Sequence, residues 1–260
     1  MIFYQVGLAA LIAGSALQAG TTAAQEPARV MEIAVAMPEK ITQGEPLVAT
    51  VTIANGAGSA AEVDLGWNRV GAFEIEVQRP DGARVTGKAE PPLLGGISRL
   101  PKVVIETNTR LSQSLPLSDW VDFRTVGRYE IVVRFNGTVL SNKKTDIATL
   151  KEWRRTVDVG SRDPSLLTAL CERLSTAILQ TANIDQQMQN ATRLSGVRDP
   201  IAVPFMKRVA QAGKVEGPMI EGLVAVGTPN AREALVELSQ DKDPDVAALA
   251  RSALKRFALR

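Results

Sequence analysis

Histidine is missing from all 260 residues of this chain. Without an imidazole there is no ready general base near neutral pH, so the serine and cysteine triads built on histidine are excluded. Cysteine is almost missing as well. The single Cys171 has no partner for an internal disulfide, and one thiol without imidazoles cannot assemble the usual zinc ligand sets. It falls at an apolar-face spacing in LLTALCERL, which predicts a buried small hydrophobe rather than a reactive thiol. Aromatic residues make up 4%, so the cores must be built from Val, Leu, Ile and Ala, and a sugar-stacking site is a poor prospect. Charge of one sign is not in excess either: 30 basic against 28 acidic residues leave +2, far from the concentrated basic face that nucleic acid requires. The densest basic cluster, Arg251, Lys255, Arg256 and Arg260, sits where cations complement a helix C-terminal dipole.

Motifs with chemistry are equally sparse. No phosphate-binding glycine pattern occurs, and Gly95-Gly96 stands alone. Asp241, Asp243 and Asp245 alternate, but the glycine and closing glutamate of a calcium loop are missing and Pro244 intervenes. An inter-helix turn ending in an N-cap is expected there. No catalytic residue, cofactor or metal is assigned. Paired carboxylates acting on an envelope polymer remain as an alternative reading.

Long apolar runs are limited to one, Val6 to Ala19, followed by the small-residue stretch TTAAQEP. This reads as a secretory signal peptide over residues 1–24, cut after Ala24 or, alternatively, Ala19. Its n-region, MIFYQ, carries no Lys or Arg. The run falls short of the about 20 apolar residues that cross a bilayer. The expectation is an exported protein, periplasmic or extracellular, with no membrane span once the leader is removed and a disordered segment at 25–29.

Beyond the leader, the hydrophobic period changes once. Over residues 30–160 it is two: Met31, Ile33, Val35 and Met37 form one alternating set, Leu47, Ala49, Val51 and Ile53 a second, and Tyr129, Ile131, Val133 and Phe135 another. Val63, Leu65 and Trp67 with Phe73, Ile75 and Val77 behave likewise. Turn pairs punctuate them, among them Gln43-Gly44, Asn55-Gly56, Pro80-Asp81-Gly82 and Asn136-Gly137. Adding runs near 103–105, 111–117 and 153–159, eight or nine antiparallel strands in two packed sheets are predicted, a β-sandwich. Trp67 is expected in the core, and Trp120 and Trp153 packed. The stretch Gly87 to Leu100, with Pro91-Pro92-Leu93-Leu94 at its middle, is long for a connection. It is either a partner-contacting tip or a plug closing one end of the sandwich.

After a linker at 161–164 the period becomes helical over residues 165–260. Asp163-Pro164, Asp199-Pro200 and Asp243-Pro244 each place a capping side chain before a proline suited to the first turn. Six amphipathic segments follow, pairing as about three helical hairpins. Leu194, Leu223 and Leu254 recur at nearly regular steps, the mark of a solenoid in which each hairpin leans on its neighbours.

Two resemblances follow from these residues. QGEPLVATVTIAN, FEIEVQRPDGARV and LSDWVDFRTVGRYEIVVRF resemble the immunoglobulin-like domains of exported bacterial proteins, with Gly127 and Tyr129 at the entry to a late strand. The same stretches also look like the sandwich of the intracellular proteinase inhibitor family. IEGLVAVGTPNAREALVELSQDKDPDVAALARSALKRF resembles short bacterial HEAT repeats, which implies protein–protein contact. The fold expected is thus multidomain, an all-β immunoglobulin-like sandwich followed by an all-α, HEAT-like solenoid. The function expected is a non-catalytic, protein-binding scaffold, its partner a protein and not nucleic acid. Leu93 and Leu94 on the long loop, and Arg251 and Lys255 on the last helix, are the candidate contacts. Protease inhibition through the 87–100 loop is the alternative.

Overall fold

The computed structural model describes residues 31–66, 69–88, 101–141, 144–146 and 151–257. The leader, Trp67, and Leu93 and Leu94 lie outside these residues.

Alternation becomes strand wherever one face can be buried. In β1 (Glu32–Ala36) Ile33 and Val35 point inward, and in β3 (Val48–Ala54) Ala49, Val51 and Ile53 do. β1, β3 and β8 (Arg110–Pro116) form one antiparallel sheet in the order β1-β3-β8. Facing it is a five-stranded sheet of β2 (Lys40–Thr42), β12 (Lys151–Gly160), β9 (Gly127–Phe135), β5 (Phe73–Gln78) and β6 (Arg84–Lys88), in that order. The chain enters the first sheet as β1, passes Met37-Pro38, and crosses to the second as β2, which pairs parallel with β12. Proline cannot donate to a ladder, so it suits the point where a strand changes sheets. This strand order, with an edge strand split between two facing sheets, is that of an immunoglobulin-like sandwich.

The predicted count of eight or nine strands is exceeded: twelve are present among the described residues. The extra ones are short. β2 and β11 (Lys144–Asp146) have three residues each and β10 (Thr138–Ser141) has four, too few for alternation to register. β11, β10, β4 (Ala61–Asp64) and β7 (Lys102–Ile105) make a third, small sheet where two were expected.

Between the facing sheets, Tyr129, Phe73, Phe135, Leu47, Ile53, Ile75, Leu115 and Ile131 are fully enclosed, each such apolar side chain contributing about 1.5–3 kcal/mol. Tyr129 satisfies its buried phenol locally: the hydroxyl donates to the Thr125 carbonyl at 2.9 Å and accepts from the Thr125 amide at 3.2 Å. That is the tyrosine-corner bond of such sandwiches. Gly127, two residues earlier, has φ +136°, and an added Cβ would lie 2.8 Å from Pro80, so no other residue fits. Trp120 and Trp153 pack partly buried against this core.

The described residues that follow are helical: α1 (Pro164–Gln180), α2 (Ile184–Ser195), α3 (Val203–Gln211), α4 (Glu216–Val226), α5 (Pro229–Leu238) and α6 (Pro244–Phe257). The aspartate caps act as their spacing predicts. Asp163 accepts from the Ser165 and Leu166 amides, Asp199 from Ile201, and Asp243 from Asp245. Asp241 takes the Asp243 amide at 3.0 Å, so the alternating aspartates build a turn and a cap. Consecutive helices pack as hairpins, α1 on α2, α3 on α4, α5 on α6. Across hairpins, α1, α3 and α5 touch in series, as do α2, α4 and α6. The result is a two-layer stack with a translational step. Ion pairs cross that step within each layer: Glu172–Arg208, Lys207–Glu237 and Glu221–Arg256. Cys171 is fully buried in the helical core, where desolvation pushes its thiol up to about 12.

Candidate interaction surface

The sandwich meets the helices through four short segments: the turn after β2, the 3-10 turn Leu117–Asp119 after β8, the connection 161–163, and the 195–199 segment after α2. Their geometry starts at Gly44, whose φ of +92° sets the turn. The Gly44 carbonyl accepts the Arg198 amide at 3.0 Å. Asp199 and Leu167 lie against the face where a Cβ would project, with Asp199 Cβ 3.2 Å from that position. Thr42 joins the connection to the sandwich: its hydroxyl donates to the Ser161 carbonyl at 2.7 Å and accepts the Asp163 amide at 2.9 Å. The three residues between β12 and α1 are therefore fastened to β2.

Two charge pairs flank this point. Arg162 places Nε 2.5 Å and Nη2 3.0 Å from the two Asp199 carboxylate oxygens. Asp199 is buried, yet its carboxyl lies below the ordinary aspartate range, because the Arg162 hydrogen bonds outweigh desolvation. Arg198 reaches Asp119 with Nη2 at 2.7 Å and the Ser195 carbonyl with Nη1 at 2.5 Å.

Beside the seam runs a groove of about 540 Å³ to which both domains contribute. Ile41 and Val159 are the apolar residues of its sandwich side, and Leu166 of α1, 54% exposed, that of its helical side. Lys40, Arg128, Asp158, Glu45 and Asp163 line the rest. Four of these five charged groups have hydrogen-bond partners within the fold. Arg128 forks onto Asp158 at 3.0 and 3.3 Å, Glu45 takes the Thr42 amide at 3.1 Å, and Asp163 caps α1. Arg128 holds the Asp158 carboxyl below its usual range. Asp163 too is held below its usual range, by the Ser165 and Leu166 hydrogen bonds. Such a surface is suited to hydrogen bonding and shape contact.

Of the sequence-predicted contacts, Leu93 and Leu94 lie outside the described residues. Arg251 is exposed on α6 and donates through Nη1 to the Ser239 carbonyl at the end of α5, 3.0 Å away. Lys255 is exposed one turn later, on the same helix. Both therefore sit on the last hairpin, whereas the groove is at the first. Thr42, Asp119, Arg162 and Arg198 were not anticipated as a group. Asp199 was legible as a cap, but its second role depends on a partner 37 positions away, which no local pattern encodes.

No protein-family model matches the chain, and no curated protein does. Among solved structures, overlap is partial and distant. The CARDB domain of a Pyrococcus furiosus protein, in complex with di-metal ions, is 12% identical, over 51% of this chain and 87% of that one, at a TM-score of 0.26. A mutant β-glucosidase from Listeria innocua is 15% identical over 51% of this chain, at 0.26, and the match spans only 16% of that enzyme. An alkylpurine DNA glycosylase from Pseudomonas fluorescens is 14% identical over 51% of this chain and 31% of its own length, at 0.21. The assignment of a sandwich followed by stacked helices rests on strand order and helix contacts alone.

Proposed function

We propose that this is an exported, non-catalytic binding protein whose HEAT-like hairpins contact a protein partner while the immunoglobulin-like sandwich presents them. The observation that carries the reading is the open stack. Each helix buries one face against its neighbours, and hairpins that meet only in series leave both outer layers available, the geometry by which repeat proteins bind. Leu166, Ile184, Val236 and Leu249, on α1, α2, α5 and α6, are exposed apolar side chains on those layers. The absence of histidine, the Arg128–Asp158 pair and the Glu45 bond to the Thr42 amide favour contact over chemistry.

Arg251 and Lys255 on the last hairpin, and Leu93 and Leu94 on the long loop, remain the proposed contacts. The test is photo-crosslinking and recovery of partners from an envelope fraction, with the chain lacking residues 1–24 as bait. Alanine at all four positions is expected to lower recovery of at least one specific partner by about tenfold, the loss of a modest hot spot. Unchanged recovery of every partner contradicts the proposed contact sites.

A further inference from the structure

Two domains joined by a short connection are expected to move relative to one another unless their interface is large and apolar. The seam described above is made of short segments and is rich in polar groups, so directional bonds between named side chains can hold it.

We infer that Arg198-Asp199 is a two-pronged lock that fixes the helical stack to the sandwich in a single orientation. The backbone at Asp199 is extended, with φ −128° and ψ 140°. In extended chain, successive side chains point to opposite sides. Arg198 therefore reaches one way, to Asp119 on the sandwich, and Asp199 the other, to Arg162 on the connection. Between them the Arg198 amide holds the Gly44 carbonyl, and Thr42 holds both ends of the connection. Rotation about the connection in either sense lengthens one prong. The fork geometry matters: Arg162 meets Asp199 through two parallel bonds, which restrain angle as well as distance. Asp199 is buried, so releasing Arg162 leaves a desolvated carboxylate without its partner, a state far less favourable than breaking an exposed pair. The lock is independent of what the protein binds.

The test uses the chain lacking residues 1–24 with spin labels at Thr86→Cys on β6 and Ala248→Cys on α6, both exposed positions. Cys171, buried and with its thiol pushed up to about 12, stays unlabelled. Pulsed electron double resonance is expected to give one narrow distance. Arg162→Ala with Arg198→Ala should widen the distribution at least about twofold, towards the relative motion expected of domains without a fixed interface, with far-UV circular dichroism unchanged. Reversing Arg198→Asp alone should widen it, and adding Asp119→Arg should narrow it again. If the alanine pair does not fold, Arg162→Lys with Arg198→Lys, which keeps both charges and loses the fork, carries the same comparison. A broad distribution in the unmutated seam, an unchanged width after removal of both arginines, or a charge swap no narrower than the single reversal would overturn the inference.

Discussion

At the scale of single residues, the most telling side chain is Asn55. It is buried to 1% exposure and fully satisfied: Nδ2 donates to the Ser59 carbonyl at 2.9 Å and the Ile105 carbonyl at 2.8 Å, while Oδ1 accepts the Ala57 amide at 3.0 Å. One amide thus joins the end of β3 to the approaches of β4 and β7. Replacing it with alanine leaves buried groups without partners, each worth about 1–3 kcal/mol. Asn55→Ala is expected to lose about 3 kcal/mol in urea unfolding, and a loss near zero would refute the role assigned to it. The Asn55-Gly56 dipeptide was legible as a turn. Its tertiary duty was not, because the sequence shows the turn chemistry but not the two carbonyls that converge on it. Tyr129 is the contrary case. Its bond to Thr125 spans only four positions, beside the Gly127 and Tyr129 that mark the strand entry in the sequence.

Elements were legible in proportion to their length. The strands with several alternating positions and all six helices follow from period and caps, since burial of one face repeats along them. The three-residue β2 and β11 and the four-residue β10 were invisible, their pairing decided by neighbours rather than by pattern. Pairing of the helices into stacked hairpins was legible, but how closely particular helices approach was not, and two glycines of α4 show the difference. At Gly222 an added Cβ would lie 2.9 Å from Ser195 Cα and 2.9 Å from Met206 Sδ, so α2 and α4 approach closely there. At Gly217, one turn nearer the start of the same helix, nothing lies within 4 Å. Gly222→Ala is therefore expected to destabilise by about 1–3 kcal/mol, as overpacking does. Gly217→Ala should stabilise by about 0.4–1 kcal/mol through the unfolded chain. Thermal unfolding of the two variants should move in opposite directions, and a shared sign would contradict the packing of α2 on α4.

For the whole molecule, the connection between domains is the decisive feature. Asp199 and Asp163 both hold their carboxyls below the ordinary range, the first through Arg162 and the second through Ser165. A lowered folded value means that the ionised form is favoured by folding. The stabilisation is present above the unfolded value of about 3.9 and disappears as pH falls through the folded one. The urea midpoint of the helical transition should therefore drop between pH 7 and pH 3, and Asp199→Asn should flatten that drop. An equally steep fall in the variant would remove Asp199 from the explanation. The sequence placed a linker at 161–164, and the structure fastens its residues to Thr42 and Asp199. That difference arises because each fastening joins positions 37 or more residues apart.

Whether the sandwich and the stacked hairpins turn in solution as one body is measured most directly by backbone 15N relaxation across both domains. A single rotational diffusion tensor fitting amides of β9 and of α4 together is the predicted result. Two tensors, each with the faster tumbling of a separate domain, would contradict the account.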